Sequence, residues 1–224
     1  MSHSKPHTKK SKKAAATQGL LITLEGGEGG GKTTQIVRLR DKLTKAGYEV
    51  IALREPGGTT ISEQIRKVVL SAKNAGIAYT TEVLLFQAAR AQIYREIVLP
   101  SLKAGKIVLI DRSRDSSVVY QGMVRGFGRE LIEQLNDIST KKTYPDITFL
   151  LDVPVQLGLK RRAADGGSNR MEMEDTDFHE QVRQAYLQLA KEDDSDRWRV
   201  IDAEQSINDI ADELWEVTQQ NVPL

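Results

Sequence analysis

The sequence predicts an α/β protein, a parallel sheet of five strands flanked by helices. Three observations carry that prediction. Short apolar runs recur along the 224 residues and are continuous rather than alternating, as in strands buried on both faces. Segments with helical spacing fill the intervals between them. A glycine-rich loop joins the first run to the first helix, a connection that offers backbone N–H groups to phosphate.

Composition sets the bounds. Hydrophobic residues at 39% and charged residues at 28% suit one globular domain with a sizeable core, spanning 19–224. No apolar run approaches the roughly 18 residues of a membrane helix, so no membrane partner is expected. Cysteine is absent, which excludes disulfides and thiolate catalysis and suits a cytoplasmic location. The net charge of +1 is unevenly placed. Residues 1–18 hold Lys5, Lys9, Lys10, Lys12 and Lys13 without an acid, and read as a disordered basic tail. The remaining 27 basic residues face all 31 acids, a balance of about −4 that argues against nucleic acid as a partner of the folded part.

The first strand is expected over 20–25 and the first helix over 32–46. Between them Gly26, Gly31, Lys32 and Thr33 satisfy G-x-x-x-x-G-K-[ST]. Gly26, Gly27, Glu28, Gly29, Gly30, Gly31, Lys32, Thr33 and Thr34 are therefore the candidate phosphate cradle. Lys32 is placed for the β- and γ-phosphates and the Thr33 hydroxyl for Mg²⁺. Glu28 is awkward beside phosphates alone, and fits better if it faces the sugar hydroxyl of a second nucleotide.

The second strand is expected over 49–53. Arg54-Glu55-Pro56-Gly57-Gly58-Thr59 then makes a tight turn in which Arg54 offers a fork to phosphate, although an ordinary surface turn explains it equally well. Helices follow over 59–72 and 80–99. The second of these carries Phe86 and Arg90 four residues apart on one face, suited to stacking a base and donating to its carbonyls. Spacing alone also suits Phe86 as core. After the third strand, 106–110, come Asp111 and Arg112. The aspartate at a strand end is placed to hold Mg²⁺ and the arginine to clamp a second phosphate, with a structural Asp–Arg pair as the plainer reading.

A helix over 114–123 brings Ser116, Ser117, Tyr120 and Gln121, polar groups suited to a base and sugar. The remaining elements are helix 128–139, strand 147–151, helix 154–164, helix 175–192, strand 198–201 and helix 206–219. Around 160–172, Arg161, Arg162 and Arg170 flank a polar, glycine-containing break that reads as a mobile lid over phosphates or as a solvated turn.

Taken together these motifs resemble bacterial thymidylate kinases over nearly the whole chain from Leu20. The matching stretches are 25–34, Arg54–Thr59, 85–92, Asp111–Arg112 with Ser116 and 120–122, and 144–153, in that order. The resemblance implies the three-layer P-loop NTPase fold and phosphoryl transfer from ATP to dTMP with Mg²⁺, in a homodimer. It implies that Phe86 stacks on thymine, Arg90 meets O4, and Ser117 lies near N3–H. Tyr120 would exclude a ribose 2′-hydroxyl, Arg54 and Arg112 would hold the acceptor phosphate, and Glu28 would lie near the 3′-hydroxyl. Lys32, Arg112 and a lid arginine would carry the transition-state charge.

The chain departs from the family twice. Ser113 replaces a usual aromatic or histidine. In the lid, Arg161 and Arg170 align, Arg162 is out of register, Ala163 and Asp165 occupy commonly basic positions, and Asn169 replaces aspartate. Two other readings compete. One is a kinase for another nucleoside monophosphate or a deoxynucleoside, which would need a differently shaped pocket. The other is a switch-type nucleotide binder such as a partitioning ATPase, in which the paired acceptor motifs would have no purpose.

Overall fold

The computed structural model describes residues 19–164 and 169–222. The expected tail, and residues 165–168 of the expected lid with Asp165 among them, lie outside the described residues. The strands are β1 (Leu20–Glu25), β2 (Val50–Arg54), β3 (Ile107–Asp111), β4 (Ile147–Asp152) and β5 (Trp198–Asp202). Each lies within one residue of its sequence expectation. All neighbours run parallel in the order β2-β3-β1-β4-β5.

Nine α-helical segments among the described residues connect them: α1 (Lys32–Lys45), α2 (Thr60–Val69), α3 (Tyr79–Ile93), α4 (Leu99–Lys103), α5 (Arg114–Ser117), α6 (Arg129–Thr140), α7 (Val155–Ala164), α8 (Thr176–Glu192) and α9 (Ile207–Gln219). The apolar strands are covered on both faces. Ile22, Leu24, Leu109 and Phe149 pack against Ile36, Leu39 and Leu43 of α1 and Ile210 and Leu214 of α9. On the other face Leu21, Val108 and Ile110 meet Ile93, Tyr94 and Val98. Leu150 there meets Val118, Val119, Val182 and Tyr186. Alternate residues of one strand thus serve opposite faces, and a three-layer fold results.

Two expected helices are not uniform. The helix expected over 80–99 becomes α3, a widened π turn over Tyr94–Val98, and α4. Leu99 N–H bonds to Tyr94 O, five residues back. Pro100 has no N–H to give and its ring presses on the carbonyl four residues earlier, and the widened turn lets the helix continue through it. Similarly α5 opens into a π segment, Val118–Val124, closed by Arg125 N–H on Tyr120 O. Tyr120 and Gln121 lie in that segment. Among the described residues no helix is long and apolar enough to cross a membrane.

The sheet order reverses beside β1, and parallel sheets bind ligands in the crevice at such a point. Register pairs Leu24 with Asp111, so the β1 exit and the β3 tip open side by side.

Candidate active site

At that crevice lies a cavity of about 860 Å³. Its floor is the β1–α1 loop. Gly26, Gly29 and Gly31 adopt φ of 132°, 67° and 84°, backbone that side-chain-bearing residues rarely accept. Gly26 also leaves no room, since a Cβ there would stand 2.4 Å from Leu151 O. Gly31 caps α1, whose first turn carries no acid, so the N–H groups and the positive end of the helix remain for an anion. Lys32 is buried and folds back over the loop, its Nζ donating to Gly27 O at 2.6 Å and Gly26 O at 3.2 Å. Burial, with the nearby Arg112 charge, pulls its ammonium down to about 8.

The β3 tip supplies the opposite wall. Thr33 Oγ1 donates to Asp111 Oδ2 at 2.6 Å, so the two expected metal ligands stand in contact. They are hard oxygen groups at the mouth of an anion cradle, which suits a cation completed by waters and phosphates. Arg112 adopts φ 62°, a left-handed conformation unusual for such a residue. That backbone aims the guanidinium across the cavity. Its Nη1 donates to Gly26 O at 2.8 Å, its Nη2 to Glu28 Oε1 at 2.6 Å, and its carbon lies 5.3 Å from the Tyr120 ring centre. Burial would push the Glu28 carboxyl up, but Arg112, Lys32 and other cations outweigh it and hold it below the usual range.

Behind Arg112 stands a hub that sequence reading missed. Glu25 is fully buried and accepts from Ser113 N–H, Ser116 Oγ and Tyr186 Oη, at 2.8, 2.6 and 2.8 Å. Tyr186 Oη also accepts from Arg112 Nη1 at 3.3 Å. Burial, then the Asp115 charge, raises the Glu25 carboxyl.

The acceptor side is built from α2, α3 and the α5 extension. Phe86, half-buried, lines the cavity. Arg90 is buried and nearly saturated, donating to Glu55 at 2.7 Å, Ser117 Oγ and Asn136 at 2.8 Å, and Ser113 O at 2.7 Å. One Nη2 hydrogen is left over. Burial raises the Glu55 carboxyl despite this partner. Ser113, where the resemblance leads one to expect an aromatic or histidine, is fully buried with its Oγ between Glu55 and the Tyr94 hydroxyl. Tyr120 Oη is buried and has no hydrogen-bond partner among the described residues.

Arg54, exposed, reaches Glu63 at 3.3 Å. Arg66 was not singled out in the sequence, yet it lines the cavity and donates to Pro56 O at 2.7 Å. Burial, then the neighbouring Arg54, lowers its pKa, as befits cations gathered where an anion binds. The available signal was Arg66 standing four residues after buried Ser62 on the inner face of α2.

The three arginines of the expected lid diverge. Arg162 lines the cavity and pairs with Glu172 at 3.1 Å. Arg161 instead donates to Ala203 O at 2.8 Å, beside the β5–α9 corner. Arg170 is buried against Val69 O and Glu82, at 3.0 and 2.7 Å. Gly26 and Gly27 form the back of the cradle, Arg161 and Arg170 stand outside the cavity, and the other predicted site residues line it.

One chamber therefore brings together the glycine loop, the Thr33–Asp111 pair and the Phe86 and Arg90 side chains, with Arg112 reaching across it. The profile of the thymidylate kinase family matches residues 24–214. A thymidylate kinase from Geotalea uraniireducens is 47% identical over 197 residues, 85% of this chain and 92% of that protein. One from Geobacter sulfurreducens is 44% identical over 211 residues, covering 92% and 99%. The crystal structure of thymidylate kinase from Ehrlichia chaffeensis superposes with a TM-score of 0.73 at 35% identity, covering 90% of this chain and 99% of that one.

Proposed function

The chain belongs to the thymidylate kinase family and transfers a phosphoryl group from ATP to dTMP, and from that premise we propose how its residues divide the work. The loop Gly26–Thr34 cradles the ATP phosphates. Thr33 and Asp111 hold Mg²⁺, which when bound offsets phosphate charge. Phe86 stacks on the thymine, Arg90 gives its free hydrogen to O4, and Ser117 and Gln121 complete the edge. Tyr120 fills the space of a ribose 2′-hydroxyl, while Glu28 faces the 3′-hydroxyl. Arg54, Arg66 and Arg112 grip the acceptor phosphate. Segment 160–172 acts as the lid within a single 19–224 domain, where Arg162 supplies charge to the transferring group, Arg161 braces the donor-side corner, and Arg170 anchors the lid's return. The enzyme is cytoplasmic. It works as a homodimer through α2, α3 and α6, which pack side by side and expose Ile61, Val68, Leu84, Leu131 and Ile138.

The observation that carries this reading is Arg112, whose one guanidinium touches the donor loop at Gly26 and the acceptor-side Glu28. Phosphoryl transfer is largely alignment and charge compensation, and a cation shared by both substrates does both. Steady-state kinetics of Arg112→Ala with ATP and dTMP test it. We expect kcat/KM for dTMP to fall by about 10³ or more, as when a main transition-state cation is removed. Retention within a few-fold would refute the assignment.

A further inference from the structure

We propose that Glu82, which does not reach the cavity, decides which pyrimidine the acceptor pocket takes by fixing the direction of the Gln121 amide. The inference rests on the base lying beside Phe86, Arg90 and Gln121.

Glu82 sits fully buried in the first turn of α3. Gln121 Nε2 donates to its Oε1 at 2.9 Å. Its Oε2 stands 2.7 Å from Arg170 Nη2, and Arg125 Nε lies 3.7 Å from Oε1. A carboxylate facing two guanidiniums only accepts hydrogen bonds. The amide must therefore turn its NH₂ toward Glu82 and its carbonyl oxygen away. Gln121 is 2% exposed yet lines the cavity, and its Oε1 makes no hydrogen bond to any described residue.

The neighbouring hydroxyl does not discriminate between bases, because it can donate or accept. Ser117, four residues earlier on the same helix, accepts from Arg90 with its Oγ. The pocket thus offers a base one group that can only accept, Gln121 Oε1, beside one unused Arg90 donor. A thymine or uracil edge presents N3–H and O4, and matches both. A cytosine edge presents an N3 lone pair and an amino group, and meets both the wrong way round. An amide free to turn over about its last torsion would offer N–H to cytosine N3 at little cost. Glu82 removes that option.

Arg170 keeps Glu82 in place. Its backbone N–H bonds to Leu70 O at 3.0 Å, and its guanidinium bonds to Val69 O at 3.0 and 3.1 Å while pairing with Glu82. Arg170 is thereby a positioning residue, and the lid's return segment is tied to the machinery that reads the base.

The substitution Glu82→Gln makes the sharp test. Arg170 will keep the new amide's oxygen, so its NH₂ will face Gln121 and drive that amide to turn over. The double variant Glu82→Gln/Arg170→Met removes the unpaired cation as well and leaves Gln121 free. The measurement is kcat/KM for dTMP, dUMP and dCMP at saturating ATP, with dCMP inhibition constants against dTMP. Groups built to hydrogen-bond a substrate reject a mispaired analogue strongly, by about 10⁴ or more. We expect the dTMP preference over dCMP to drop about tenfold or more in both variants, and further in the single one. The dTMP to dUMP ratio should stay within about twofold, because the methyl contact is untouched. Loss of all three activities in parallel, with the preference over dCMP retained, would show that Glu82 only supports the fold and would overturn the proposal. Gln121→Leu separates the premise from the inference. If it leaves dTMP turnover intact, the base does not lie there at all.

Discussion

Replacing Gly158 by alanine probes how α7 and the β1–α1 loop are built against each other. Gly158 is buried in α7, and a Cβ added there would stand 2.3 Å from Glu28 O and 3.2 Å from Val153 Cγ1. Ordinary contact begins near 3.4 Å, so the Glu28 carbonyl would have to retreat by about 1 Å. Nothing soft lies between. The facing residue is Gly29, at φ 67°, where a Cβ would come within 1.9 Å of Gly158 O, so two bare backbones touch. The displaced loop is the one proposed to cradle the donor phosphates, and a misplacement of that size costs about 10² in rate. Alanine is also a better helix former than glycine by about 1 kcal/mol, which offsets part of the strain in global stability. We therefore expect kcat/KM for ATP to fall by about 10². The melting temperature should move by a few degrees, and calorimetric dTMP affinity should weaken as well, because Glu28 and its partner Arg112 face the acceptor. Gln156→Ala, exposed on the same helix, is the control. A Gly158→Ala enzyme with kcat/KM for ATP within threefold of the parent would refute the coupling.

Two further expectations follow from charge and surface. Burial pulls the Lys32 ammonium down to about 8, which predicts a cation below that pH and a neutral amine above it. Because kcat/KM reports the free enzyme, its value for ATP should fall about tenfold from pH 7 to 9, while kcat bends at higher pH because bound phosphates favour the ammonium. A kcat/KM profile flat through pH 9.5 would contradict the burial argument. The exposed apolar side chains of α3 and α6 predict that Leu84→Glu/Ile138→Asp turns a dimer into a monomer in light scattering, and a mass unchanged by the double substitution would place any interface elsewhere.

Much of the site was legible because its signals are local. The Gly26–Thr34 loop is one continuous motif, and Asp111 and Arg112 are marked by ending an apolar strand. Phe86 and Arg90 share a face because they stand four apart. The missed features depend on contacts distant in the chain. Tyr186 reaches Glu25 across 161 residues, and nothing beside it in α8 distinguishes it from an ordinary core aromatic. Arg170 follows a polar break and looks solvent-facing, yet the carbonyl of Val69 and the carboxylate of Glu82 draw it inside. The π segments escaped notice because one extra residue in a turn scarcely disturbs the apolar spacing.

The unusual register of Arg161, Arg162 and Arg170 becomes intelligible once each cation is traced to its partner. Arg161 is committed to Ala203 O and Arg170 to Val69 and Glu82, so Arg162 is the one of the three that faces the cavity. Its partner Glu172 is held by Asn169, whose backbone N–H and side-chain amide both donate to it. The Arg162 side chain is about 30% exposed, and a pair of that kind contributes no more than about 1 kcal/mol. An arginine parked so lightly can leave for a transferring phosphoryl group at small cost, and Glu172 keeps its Asn169 contacts when it does. Burying Arg170 therefore fixes the segment that places Glu172, and Glu172 holds Arg162 at the rim of the chamber where Lys32 and Arg112 already point.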